Sequence, residues 1–168
     1  MNKTIILTIM SLMTSCLTQA AMFEQSDISV SAKGRLVLER SQAEGTFARN
    51  DRIILKAPGE TVEVFASEGR AVENVIEEDI DGSGERELLV QMDLGGSGGF
   101  KEFALLQLKD GKYETVWEET GFCAGHAAIE DRDGDGRLSI YIDYTNTDIE
   151  PPKEETAIFV FENGEVKQ

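Results

Sequence analysis

Apolar and polar residues alternate along most of the chain in short runs, separated by glycine, aspartate and asparagine. Alternation with a period of two is typical of strands that bury one face, and no long window holds the 3.6-residue period of an amphipathic helix. We therefore predict an all-β protein. In the first part of the chain we expect four strands, at Asp27 to Ser31, Arg35 to Glu39, Arg52 to Lys56 and Thr61 to Phe65.

The second part of the chain contains two copies of one unit, which align when Asp79 is matched with Asp131. Each copy has an acidic loop between its first and second strands. The strands of the first copy are predicted at Val72 to Ile76, Leu88 to Met92, Phe103 to Leu108 and Tyr113 to Trp117. Those of the second are predicted at His126 to Ile129, Leu138 to Tyr144, Ala157 to Glu162 and Glu165 to Lys167.

Four strands per repeat are typical of a propeller blade or a related β-meander, and two copies are too few to close a propeller. With the N-terminal strands as a third, diverged unit, we predict a partial β-propeller-like stack of four-stranded antiparallel units. The single domain would cover residues 21–168, divided into diverged strands at 26–69, repeat 1 at 70–120 and repeat 2 at 121–168. We expect a monomer. An exposed loop is predicted between the second and third strands, from Arg40 to Asn50.

Residues 1–20 have one lysine, an apolar run and then small residues, which is the pattern of a secretory signal. The apolar run is too short to cross a bilayer as a helix, so no membrane span is expected. Two processing sites are open: cleavage after Ala20, or a lipoprotein signal that ends before Cys16 and leaves a lipid anchor there. Either way we expect an exported protein, in the periplasm or as an outer-membrane lipoprotein.

The chain carries a formal net charge of -16, from 32 acidic and 16 basic residues. Such a field repels nucleic acid and anionic lipid, and it attracts cations or basic proteins. We therefore expect no nucleic-acid partner. The plainer interpretation is that the acidity keeps an exported protein soluble.

Both acidic loops place oxygen donors at the alternate positions that a calcium loop uses. Calcium takes six to eight oxygen ligands, which a tight loop supplies from side chains at positions 1, 3 and 5 and from the carbonyl at position 7. The predicted calcium ligands of the second loop are Asp131, Asp133, Asp135, the carbonyl of Arg137, and Ser139. Those of the first loop are Asp79, Asp81, Ser83, the carbonyl of Glu85, and Glu87. The second loop has aspartates at positions 1, 3 and 5 and therefore provides these ligands more fully. The first loop has a serine at position 5 but carries a carboxylate, that of Glu87, at position 9.

These loops are not EF-hands, because position 12 is Val90 in one and Ile142 in the other, where an EF-hand has a bidentate glutamate. The segments DIDGSGERELLV and DRDGDGRLSIYI, each a D-x-D-G-x-G loop leading into a strand, resemble the calcium-loop repeats of the FG-GAP and VCBS families. The resemblance covers residues 70–168 and implies β-propeller blades stabilised by Ca²⁺. The family pattern has an acid at position 9, which Glu87 keeps and Ser139 does not.

A glycine-rich loop, LGGSGGFKEF, lies between the second and third strands of repeat 1. Neither of its glycine pairs is followed directly by a lysine, and no helix is expected after it, so it is not a phosphate-binding P-loop. The plain interpretation is a wide hairpin. The alternative is a partner-binding loop, since Ser97, Gly98, Gly99 and Phe100 resemble the Ser-Gly-x-x-Tyr loop of bacterial periplasmic lysozyme inhibitors, with Phe100 as the aromatic residue, one position earlier than the tyrosine. The resemblance implies a basic, lysozyme-like muramidase as the partner.

No catalytic constellation is evident. His126 is the sole histidine, its surroundings contain no nucleophile elbow, and we expect it in the core or in a loop. Trp117, Phe159 and Phe161 are expected in the core. We predict a non-enzymatic, exported, calcium-binding module, and most specifically an inhibitor of a peptidoglycan hydrolase. Two other functions stay open: an envelope adhesion or carbohydrate-binding module, and a hydrolase.

Overall fold

The computed structural model describes residues 23–31, 33–41 and 49–168, and these residues form strands and turns without a helix. The predicted signal, residues 1–20, and most of the predicted loop between the second and third strands lie outside the described residues. The strands are β1 (Phe23–Ser31), β2 (Gly34–Ser41), β3 (Arg52–Ala57), β4 (Glu60–Ala66), β5 (Ala71–Glu78), β6 (Glu87–Asp93), β7 (Phe100–Lys109), β8 (Lys112–Glu130), β9 (Ser139–Asn146), β10 (Lys153–Glu162) and β11 (Glu165–Lys167).

The strands form two antiparallel sheets in which neighbours in space are also neighbours along the chain. The first sheet has four strands, β1 to β4, and the second has seven, β5 to β11. The all-β prediction is confirmed, and each of the four strands expected in the first part is present. The described strands close neither a barrel nor a propeller. Within these ranges no helix is long and apolar enough to span a membrane.

The structure differs from the prediction at β8, a single strand of 19 residues where two strands were expected. The first part of β8, from Lys112 to Cys123, pairs with β7, and the last part, from Cys123 to Glu130, pairs with β9. At the changeover the ladder is irregular, with a register shift between Cys123 and His126 and positive φ at Gly121 (99°) and Ala124 (51°). One strand therefore belongs to both repeats.

Two apolar clusters form the core, and the β6–β7 hairpin contributes to both. On one face of the hairpin, Leu89, Phe103 and Leu105 pack with residues of the second repeat, including Ile140 and Phe159. On the other face, Leu88, Val90 and Leu106 pack with Leu36, Leu38 and Ile53 of the first sheet. The hairpin thus lies between the first sheet and the second repeat, which explains why β6 is almost continuously buried. Phe159 and Phe161 are buried as predicted, and Trp117 packs on Phe159 with 4.9 Å between the ring centroids.

A buried carboxylate joins the first sheet to the beginning of the second. Asp51 precedes β3 and is fully buried, with one oxygen accepting a hydrogen bond from the Ser41 N–H at 2.9 Å. The other oxygen accepts from the Val72 N–H, also at 2.9 Å. Since a buried carboxylate is stable only when its oxygens are satisfied, Asp51 fixes the start of β5 against the first sheet.

Candidate cation sites and the glycine loop

The first acidic loop connects β5 to β6 and draws three carboxylates together. Asp79, Asp81 and Glu87 each place an oxygen within 4.8 Å of the others. The backbone curls around them, since the Ser83 N–H donates to Asp81 Oδ1 and the Gly84 N–H donates to Asp79 Oδ2, each at 2.9 Å. Gly82 and Gly84 have positive φ, 70° and 86°, which the curl requires and which side chains rarely adopt. These hydrogen bonds and glycines hold the loop in its curled conformation without a bound ion.

Glu87 is the most constrained residue of this loop, because it is fully buried, with 0% of its surface exposed. Its Oε2 accepts a hydrogen bond from the Ile80 N–H at 2.9 Å, whereas its Oε1 is buried without a partner. Asp79 Oδ1 is buried without a partner as well. Burial raises the pKa of Glu87, the Ile80 N–H opposes this, and the nearby charges of Asp81 and Asp79 raise the pKa further. Two orphaned oxygens in one carboxylate cluster are unfavourable unless a cation, a proton or a water molecule satisfies them.

The other predicted ligands of the first loop, Ser83 and Glu85, make contacts with other residues of the fold. Ser83 Oγ accepts a hydrogen bond from the Glu85 N–H at 3.3 Å. The Glu85 carboxylate turns away and pairs with Lys33 in the β1–β2 turn, so only the Glu85 carbonyl is available to an ion. Gln107 on β7, which the sequence did not single out, donates to Asp81 Oδ2 at 3.2 Å and orients that carboxylate.

The second acidic loop connects β8 to β9 and also gathers three carboxylates within 4.8 Å, those of Asp131, Asp133 and Asp135. All three are exposed, and none has a buried oxygen without a partner. Asp131 accepts hydrogen bonds from the N–H groups of Gly134 at 2.7 Å and Gly136 at 3.0 Å.

A basic residue of the second loop already neutralises one of its carboxylates. Arg137 makes an ion pair with Asp135 at 2.9 Å. The pKa of Asp135 is lowered, first by the Arg137 backbone N–H and then by the Arg137 side chain. Ser139, the first residue of β9, pairs with Glu130 and provides no carboxylate. The second loop therefore has one carboxylate paired with an arginine and no buried oxygen without a donor, whereas the first loop has two such oxygens.

The two loops lie side by side at one end of the molecule. Ile80 and Asp81 of the first loop and Arg137 and Leu138 of the second line one depression of about 370 Å³. Arg137 also reaches Glu162 at the end of β10, at 3.2 Å. The arginine is therefore the main positive charge between the two acidic clusters.

The glycine loop connects β6 to β7 and is held on two sides. At its base the Leu94 N–H donates to the Phe100 carbonyl at 3.1 Å. From β8, the Ala124 N–H donates to the Gly99 carbonyl at 3.0 Å, and the Cys123 thiol lies 3.3 Å from the Gly98 carbonyl. The loop is therefore an ordered hairpin end.

The outer surface of the glycine loop carries the predicted partner-binding residues. Ser97 and Gly98 are exposed. Two large apolar side chains stand beside them, Leu94 at 41% exposure and Phe100 at 38%. Phe100 packs its ring on Gly98, because a Cβ at Gly98 would lie 2.6 Å from that ring. This places an exposed aromatic ring and a hydroxyl on a rigid support.

His126 lies on β8, exposed, with Asp143 of β9 as its cross-strand partner. The expectation of a core or loop position was therefore wrong. The side chain faces outward because Ala127, the next residue, takes the inward position in a strand. Cys123 is half-buried beside the glycine loop.

No model of a known protein family matches the chain, and no curated protein matches it either. The resemblance to calcium-loop repeats and to lysozyme inhibitors therefore rests on the quoted motifs alone.

Proposed function

We propose that this protein is an exported, calcium-stabilised binding module of the bacterial envelope, and that it inhibits a peptidoglycan hydrolase. In this proposal it is not an enzyme, and its three packed units are a partial propeller. The observation that carries the proposal is the carboxylate cluster of Asp79, Asp81 and the buried Glu87, in which the buried oxygens Glu87 Oε1 and Asp79 Oδ1 have no donor. Calcium is the hard, oxygen-seeking cation that such a cluster suits.

The first loop is the proposed calcium site. A cation there would satisfy both orphaned oxygens and offset the repulsion among three carboxylates that meet within 4.8 Å. With an affinity typical of extracellular modules, about 1 mM calcium would stabilise the fold by about 0.4 to 1.4 kcal/mol. The role of the ion would be structural, since it would fix the junction between β5 and β6. The second loop would bind calcium more weakly, because Arg137 already pairs with Asp135.

The partner surface is the glycine loop with Ser97, Gly98, Gly99 and Phe100. An ordered loop loses little conformational entropy when it enters a cleft, and an exposed aromatic ring is the type of residue that dominates binding energy. The net charge of -16 would steer the module toward a basic muramidase. A muramidase cleft holds paired carboxylates, and the Ser97 hydroxyl could donate a hydrogen bond to one of them.

An assay of cell-wall lysis by basic lysozymes, with and without the purified protein, tests the partner. We expect the protein to slow lysis, and Ser97→Ala and Phe100→Ala to weaken the effect at least tenfold. The matched control is Ile158→Ala, which truncates an exposed apolar residue on β10, away from the loop. No slowing of lysis at any ratio of protein to enzyme would reject the hydrolase partner, and binding to glycans instead would favour the adhesion or carbohydrate-binding function.

Calorimetry with calcium tests the metal separately. We expect saturable binding to the wild-type protein and its loss in Glu87→Gln, which keeps the shape and removes the charge. Asp133→Asn in the second loop is the control and should leave the strongest binding intact. Absence of heat together with an unchanged melting temperature in EDTA would reject the calcium site.

A further inference from the structure

We propose that a cleft beside the glycine loop binds an oxyanion, the carboxylate or phosphate group of a small acidic ligand. The cleft has a volume of about 630 Å³. Arg40 at the end of β2 and Arg49 before β3 line one side of it, Ala71 and Val72 of β5 form an apolar wall, and Gly95 and Gly96 of the glycine loop complete it. This volume lies within the range of small-molecule sites.

The two arginines carry the inference, because neither has a carboxylate partner among the residues that the structure describes. Arg40 donates to Ser26 Oγ at 3.4 Å, and the Arg49 guanidinium has no bond to any described residue. Apart from Arg86, the other arginines form ion pairs with carboxylates; they are Arg35, Arg52, Arg70, Arg132 and Arg137. In a chain with twice as many acidic as basic residues, two guanidinium groups on one cleft without a carboxylate partner among the described residues are unexpected.

The acidic side chains of the cleft, Glu73 and Asp93, do not pair with the two arginines, because their oxygens accept hydrogen bonds from other donors. Lys101, whose side chain is only 13% exposed, bridges Glu73 at 2.6 Å and Asp93 at 2.8 Å. The second oxygen of Glu73 accepts from Gln91 Nε2 at 3.0 Å, and the second oxygen of Asp93 accepts from the Gly95 N–H at 2.6 Å. All four carboxylate oxygens therefore have a donor, and the arginines remain available.

The chemistry of the cleft selects an oxyanion. A guanidinium presents a planar fork of N–H donors that matches a carboxylate or a phosphate, and two of them can hold one such group between them. With Lys101 included, the cleft has three positive and two negative side chains. The backbone of Gly96 is open, since nothing lies within 4 Å of the position a Cβ would occupy, so a ligand can approach it closely. The site is separate from the calcium cluster and does not require a hydrolase partner.

The test is isothermal titration of the protein with two separate probes, glycerol 3-phosphate and succinate, at physiological salt, where weak surface attraction is screened. We expect saturable binding of at least one probe. The double variant Arg40→Gln/Arg49→Gln should bind it at least tenfold more weakly, because each lost guanidinium removes charge-assisted hydrogen bonds. Arg86→Gln is the matched control, since Arg86 also lacks a carboxylate partner within residues 23–31, 33–41 and 49–168 but lies at another cleft.

Thermal melting of each variant establishes that it is folded. Arg40 is half-buried and Arg49 exposed, and neither pairs with a carboxylate of the residues that the structure describes. Preference for glycerol 3-phosphate would assign the oxyanion as a phosphate, and preference for succinate would assign it as a carboxylate. The proposal is overturned if neither probe gives saturable heat up to about 10 mM. It is also overturned if the folded double variant binds as tightly as the wild-type protein, or if Arg86→Gln is weakened equally.

Discussion

Glu87 and Ser139 occupy equivalent positions in the two repeats. Each is the first residue of the strand that leaves an acidic loop, and each pairs with the glutamate that ends the preceding strand, Glu78 for Glu87 and Glu130 for Ser139. The equivalence isolates one chemical difference, because one loop ends in a buried carboxylate and the other in a hydroxyl. The two loops should therefore differ in cation affinity.

Ser139→Glu should complete the second loop. The new carboxylate would occupy the position that Glu87 has in the first loop. It would add a fourth carboxylate to those of Asp131, Asp133 and Asp135. We expect calorimetry to detect a second calcium ion per chain, with an affinity at least tenfold above that of the wild-type second loop. Ser139→Gln, of the same size and without the charge, is the control. A Ser139→Glu variant that binds calcium as the wild-type protein does would contradict the equivalence.

Asp51→Ala should destabilise the fold strongly. The change leaves the N–H groups of Ser41 and Val72 without the acceptor that each has at 2.9 Å. We expect the free energy of unfolding in urea to fall by about 2 to 4 kcal/mol. Asp51→Asn, which can accept only one of the two bonds, should fall between the alanine variant and the wild type. A loss of less than about 1 kcal/mol would mean that Asp51 does not fix the junction of the sheets.

Gly125→Ala should also destabilise, and Gly98→Ala should not. A Cβ at Gly125 would lie 2.8 Å from Phe122 Cβ, inside the core and close to the main chain, where little can move. A Cβ at Gly98 would meet the Phe100 ring, which is exposed and can turn aside. Thermal unfolding should show a loss of about 1 to 3 kcal/mol for Gly125→Ala and almost none for Gly98→Ala. Equal losses would show that the crowding at Phe122 is relieved elsewhere.

Asp93 should stabilise the fold at neutral pH and lose this effect in acid. The hydrogen bond from Lys101 and the one from the Gly95 N–H hold the pKa of Asp93 below its usual value of 3.8. A carboxyl with a lowered folded-state pKa stabilises the protein above the unfolded-state value, and the stabilisation is lost as the pH falls through the folded-state value. Asp93→Asn should therefore cost about 1 kcal/mol at neutral pH, and less as the pH falls below 3.8.

Urea unfolding at neutral and acid pH measures this difference between Asp93→Asn and the wild type. Asp110→Asn is the control, since Asp110 lies in an exposed turn and forms no ion pair with any described residue. A difference for Asp93→Asn that stays constant with pH would show that the contribution of Asp93 is not electrostatic.

The strand pattern could be predicted because period-two alternation reflects burial on one face, and that signal is local. The extent of β8 could not be predicted in this way. Two separate strands were predicted, at Tyr113 to Trp117 and His126 to Ile129, yet the backbone stays extended because β7 binds one part of the strand and β9 the next. Pairing between distant segments decided the outcome, and such pairing leaves no trace in a short window.

For the cation cluster, too, the sequence predicted one part of the arrangement and missed another. The spacing of the acidic residues predicted which carboxylates meet, and Asp79, Asp81 and Glu87 do meet. The count of aspartates favoured the second loop, whereas burial favours the first, because only there do carboxylate oxygens lack a donor. Burial depends on the neighbouring strands, so the number of charges in a loop was a poor guide to its need for an ion.

The single strand shared by the two repeats has a consequence for how the molecule comes apart. Neither repeat can detach without tearing β8 from one of its neighbours, so the two should melt in one cooperative step. Protein expressed only to residue 120 would have lost the β9 partner and would present an unpaired sheet edge to other chains. We expect such a fragment to aggregate, which means that the seven-stranded sheet folds only as a complete unit.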